Sequence, residues 1–110
     1  MRHLRITEVS VSILPEDNIN YHLYVIKVQW RGGEQYAVMH AGFALGTDGE
    51  WAYEPMPSGR DEQFLASHRY GYDQALELAN RIAPTIEVNG RSALHVAAAL
   101  TEQENADATR

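Results

Sequence analysis

The chain has no cysteine, which excludes thiol catalysis, a disulfide framework and zinc sites built on thiolates. It also lacks any apolar run near the roughly 20 residues needed to cross a bilayer, so no membrane contact is expected. Positive charge is scarce: nine Lys plus Arg stand against 15 Asp plus Glu, a formal net charge of −6. A surface of that sign repels phosphate backbones unless its cations are locally concentrated, which places nucleic acid at a disadvantage as a partner. Histidine is present at His3, His22, His40, His68 and His95, but no two of these sit at a ligand spacing such as i, i+4. No metal and no cofactor are expected.

What remains is ordinary globular composition, 45% hydrophobic and 22% charged over 110 residues, enough for one domain with its own core. That domain is expected over residues 1–100. Residues 101–110 carry no apolar side chain beyond alanine and read as a disordered tail. The opening Met1-Arg-His-Leu-Arg5 leads into an alternating strand pattern rather than a signal-peptide core, so the expected location is cytoplasmic.

The periodicity predicts an α+β fold: an antiparallel meander of four or five strands followed by two short helices packed on one face. Apolar residues alternate from Leu4 to Leu14 with a parity switch that suggests a bulge near Thr7 and Glu8. Tyr21 to Trp30 is rich in aromatic and β-branched residues and reads as a central strand. Arg31-Gly-Gly-Glu34 is a hairpin turn, Gln35 to about Leu45 the returning strand, and Gly46-Thr-Asp-Gly49 a second turn into Trp51-Ala-Tyr53. The segment Phe64 to Tyr70 fits a fifth strand or an extended approach to a helix. Asp73 then caps a helix with Ala75, Leu76, Leu78, Ala79, Ile82 and Ala83 on one stripe. Ile86 to Val88 is extended and ends at Asn89-Gly90, and Ser92 caps a second helix bearing Leu94, Val96, Ala97 and Leu100.

Two groups of residues are candidates for binding. Tyr21, Tyr24, Trp30, Tyr36, Trp51 and Tyr53 lie on the predicted sheet with Lys27 and Arg31 close by, and rings on an open sheet face can stack bases or grip a peptide. For at least half of them, filling the core is the favoured role. Ser67-His68-Arg69-Tyr70-Gly-Tyr-Asp73 gathers hydroxyl, imidazole, guanidinium and carboxylate groups, although a strand–helix junction collects such residues as caps and turn-formers. With Arg60 from the loop between Glu54 and Glu62, the candidate binding residues are Trp30, Tyr36, Trp51, Tyr53, Arg60, His68 and Arg69; none is assigned as catalytic.

At Ala37-Val-Met-His40, Leu45-Gly-Thr-Asp-Gly-Glu-Trp-Ala-Tyr-Glu-Pro55, Asp61 to Tyr70 and Ala75-Leu-Glu-Leu-Ala79 through Val88-Asn-Gly90, the chain resembles small proteins without an assigned function encoded by actinobacteria and their phages. The resemblance spans about residues 4 to 92. It implies no activity; it implies a free-standing cytoplasmic domain of mobile-element origin, a class that often binds a host component.

The leading expectation is a non-enzymatic protein-binding or regulatory module engaging another protein, or a second copy of itself as a homodimer, through a sheet edge or aromatic face. A nucleic-acid-binding sheet ranks below it, with Tyr24, Trp30, Tyr36, Trp51 and Tyr53 as stacking rings and Lys27, Arg31, Arg60 and Arg69 on phosphates. Its strands come first instead of interleaving with helices as βαββαβ. A small enzyme using His68 with Asp61, Glu62 or Asp73 ranks last.

Overall fold

Between Glu8 and Tyr53 the alternating segments bond into one antiparallel sheet of five strands in sequence order: β1 (Glu8–Val11), β2 (Ile26–Trp30), β3 (Tyr36–His40), β4 (Phe43–Leu45) and β5 (Trp51–Tyr53). The computed structural model describes residues 4–108, with side chains through residue 100. The fold is α+β with the expected meander.

The fifth strand, however, comes from a turn that the sequence hides. The expected single strand 35–45 breaks at Ala41 (φ 50°) and Gly42 (φ 87°), a two-residue hairpin with both central residues in the left-handed region. Alanine is a poor occupant of that region, so no turn signal marks the site. The Gly32-Gly33 and Gly46 to Gly49 turns fall where expected, closed by Arg31 N to Gln35 O at 2.8 Å and Gly46 N to Glu50 O at 2.8 Å.

The predicted strand from Tyr21 is also shorter. Residues Tyr21–Tyr24 form one helical turn, α1, before β2 begins. Asn18 donates its N–H to the Pro15 carbonyl at 3.0 Å and accepts from Asn20 N at 2.8 Å through Oδ1, and this local bonding winds the chain instead of extending it. The first strand likewise begins at Glu8; Leu4 and Ile6 before it are exposed.

Register divides the sheet into two faces. Val9, Val11, Ile26, Val28, Tyr36, Val38, Leu45 and Trp51 share one of them. There they meet α3 (Tyr72–Ile82), whose Ala75 and Ala79 are fully buried and small enough to let the helix lie close. The helix starts at Gly71, with Asp73 in its first turn rather than at the cap. After α3 a small hairpin, β6 (Glu87–Val88) and β7 (Arg91–Ser92), turns at Asn89-Gly90, both at positive φ. Ser92 Oγ accepts from His95 N at 3.1 Å to start α4 (Ala93–Ala108), which joins the core through Ala93, Val96 and Ala97.

The second face carries Glu8, Ser10, Lys27, Gln29, Ala37, Met39, Ala44 and Ala52. The undecided segment 64–70 resolves here. Residues Glu62–Ser67 form α2, capped by Asp61 Oδ1 accepting from Phe64 N at 2.7 Å, and Phe64 packs on Ala37, Met39 and Ala44. Tyr70 then makes a single antiparallel bridge to Tyr36. The backbone of the expected tail is helical through Ala108, in keeping with its helix-forming Ala, Glu and Gln; the rest of that tail lies outside the described residues. Among the described residues, no helix is long and apolar enough to cross a membrane.

Candidate functional site

Glu54 follows β5 on the second face by the alternation of the strand, two guanidinium groups bind it, and a third lies near enough to feel its charge. Arg60 Nε lies 2.9 Å from Glu54 Oε2 and also donates to the Pro55 carbonyl at 3.0 Å. Arg69 reaches the same carboxylate with Nη2 donating to Oε2 at 3.1 Å and Nη1 3.0 Å from Oε1. Oε1 nevertheless receives no aligned donor, because Nη1 is directed at the His68 carbonyl at 2.9 Å. The side chains of Arg69 and Glu54 are only 3% and 7% exposed.

The third guanidinium is Arg31, at the end of β2. Its Nη2 donates to Gln29 Oε1 at 2.9 Å, while its Nε is buried without a partner. Burial pushes its ionisation down; Glu54 pulls the other way, and Arg69 and Arg60 push it further down.

His68 stacks on Phe64, ring centroids 4.1 Å apart and 7° from parallel, and the Arg69 guanidinium lies 5.7 Å from the Phe64 ring centroid. His68 Nδ1 is 2.7 Å from Ser67 Oγ and 3.0 Å from the Phe64 carbonyl. Ser67 Oγ itself donates back along α2, to the Gln63 carbonyl at 2.9 Å. This pair therefore finishes a helix end and is not arranged as a nucleophile and its base. Asp61, a proposed partner of His68, instead caps α2.

The candidate binding residues thus separate. Arg60 and Arg69 meet on Glu54, with His68 beside them, whereas the aromatic candidates belong to the opposite face. Tyr36 is core, its hydroxyl donating to the Ile6 carbonyl at 2.6 Å. Trp30 is 38% exposed with Arg5 over its ring at 4.8 Å. Trp51 is half-buried beside His40, centroids 5.9 Å apart. Tyr53 is 71% exposed and meets Phe43 edge-to-face at 6.0 Å, with Met56 75% exposed shortly after it. Sequence reasoning missed Glu54, Phe43 and Met56 as site residues; the only signal for Glu54 was a lone acid between a strand and a proline.

A cleft of about 550 Å³ opens between the β4–β5 turn and α3, with Leu45, Trp51, Leu78 and Ile82 as apolar lining and Asp48, Gln74 and Arg81 as polar groups. Tyr70 also lines it and donates its hydroxyl to the Leu45 carbonyl at 3.0 Å. Burial, and secondly Asp48, push Tyr70 ionisation above its ordinary value of 10.0. With the folded value raised, the stability Tyr70 contributes is intact below about pH 10 and is lost as pH rises from there through the folded value. Thermal melts should therefore show wild type about 1 kcal/mol more stable than Tyr70→Phe at neutral pH. That advantage should shrink as pH rises above about 10; a constant difference across the range would refute the assignment.

Among the described residues, no group of three or more His, Asp or Glu side chains is placed to hold a metal ion. The chain matches no protein-family model, no curated protein and no solved structure.

Proposed function

We propose that the protein is a non-enzymatic binding module that engages another protein at the β5 edge. The observation that carries this reading is the exposed trio Phe43, Tyr53 and Met56, 44%, 71% and 75% exposed, beside a strand paired on one side only. Contiguous exposed rings rimmed by polar residues are a common mark of a protein contact.

The strand can also supply main-chain bonds. Gly46 N bonds Glu50 O at 2.8 Å and Glu54 N bonds Gly42 O at 3.1 Å, so the ladder runs through the Ala44–Ala52 pair. By alternation the main-chain groups of Trp51 and Tyr53 point away from β4, where an extended segment of a partner can add as a sixth strand. Exposed acids flank β5 in sequence, Asp48 and Glu50 before it and Asp61 and Glu62 after it. A partner segment with basic residues answers that charge, and two copies of a chain of net charge −6 repel. If the chain has the mobile-element origin that its resemblance implies, the partner is a host protein.

Capture from lysate with tagged wild type and with Tyr53→Ala tests this, with nuclease treatment and a high-salt wash. One protein should be retained by wild type and lost by the variant, an affinity decrease of roughly 30-fold or about 2 kcal/mol. The melting temperature should stay within about 2 °C of wild type because Tyr53 is mostly exposed. Equal retention by the variant, or retention that nuclease removes, overturns the reading.

A further inference from the structure

We infer that the Arg31–Arg60–Arg69 constellation on the second sheet face is an oxyanion site that takes a phosphate group. The charge count is the first argument: Arg60 and Arg69 both bind one carboxylate, Glu54, and Arg31 follows Gln29 on the same face, near enough for all three charges to act on it, which leaves two positive charges in excess. In a chain of net charge −6 that concentration is not a result of composition.

Pairing is the second argument. Arg60 and Arg69 are both engaged with Glu54, whereas no ion pair holds Arg31 among the described residues, and its Nε is a buried donor with nothing to bond. Another acid on this face, Glu8, is already engaged: Gln29 donates to it at 2.8 Å and Lys27 lies 3.8 Å away. Arg31 as a whole is only partly buried, but its Nε is shut off from water without an acceptor, and an anion bridging Arg31 to the Glu54-bound arginines satisfies that donor.

Guanidinium forks match oxyanions in geometry, and a phosphate monoester carries about −1.5 to −2 charges near neutral pH, close to the excess here. Arg60, with 22% of its side chain exposed, places its guanidinium at the rim of the site. The site lies on the face opposite Tyr53, so it stands independently of the protein-binding reading, and either can fail alone.

The test is thermal melting in sodium phosphate against sodium chloride at matched ionic strength. Roughly 20 mM phosphate should raise the melting temperature of wild type by about 3 °C, and that of Arg31→Gln by less than about 1 °C. Arg31→Lys keeps the charge without the Nε donor and serves if the glutamine variant does not fold; it should lose at least half of the shift. O-phosphoserine in place of inorganic phosphate identifies the source: a larger shift points to a monoester on a larger molecule, an equal one to the free anion. The proposal is overturned if wild type melts alike in phosphate, phosphoserine and chloride, or if both variants shift as far as wild type.

Discussion

Glu54→Ala is expected to destabilise the protein by about 3–5 kcal/mol, the usual cost of removing one partner from a buried ion pair. The cost arises on the arginine side. Arg69 has 3% of its side chain exposed and cannot recover hydration when its carboxylate is removed, while Arg60 at 22% can turn partly outward. The same carboxylate also ties three segments together: the end of β5 that carries it, the loop that carries Arg60, and the chain after α2 that carries Arg69. Urea denaturation of the single variant should show the full loss. Replacing Glu54 by Leu and Arg69 by Met together should recover most of it, because neither charge is then left buried alone. A single-variant cost under about 1 kcal/mol would mean that water reaches the cluster and that it is not a latch.

The parts of the fold that follow local rules were legible in the sequence. Gly32-Gly33, Gly46 to Gly49 and Asn89-Gly90 announce their turns because glycine and asparagine tolerate positive φ. The Ala75, Ala79, Ile82 spacing announces the buried stripe of α3. Ala41 announces nothing, since its left-handed φ of 50° is imposed by pairing on both sides of the hairpin. The segment 62–67 was ambiguous because its helix depends on the Asp61 cap and on Phe64 finding the second sheet face.

The candidate sites were less legible for a related reason. Arg60, His68 and Arg69 could be named from their chemistry, but their grouping around Glu54 depends on strand register, which no local pattern encodes. Register also separates what sequence proximity had joined. Lys27 and Arg31 alternate with Trp30 and belong to the face opposite the rings, so the stacking-plus-phosphate platform expected for a nucleic-acid sheet does not assemble on one face.

Tyr24→Ala is expected to cost about 3–5 kcal/mol, the range for truncating a large buried ring. As a stacking residue on an open strand, Tyr24 would be replaceable with little effect on stability. In α1 it is instead 3% exposed within the main core, and its hydroxyl donates to the Arg91 carbonyl at 2.9 Å, with the Val88 carbonyl at 3.4 Å. One side chain thus fastens the turn before β2 to the β6–β7 hairpin, far along the chain. Tyr24→Phe separates the two contributions: it keeps the ring and loses the bond, for an expected cost of about 1 kcal/mol. Chemical denaturation of the two variants measures both. A Phe variant as unstable as the Ala variant would place the stabilisation in the hydroxyl, and an Ala variant within about 1 kcal/mol of wild type would return Tyr24 to the surface.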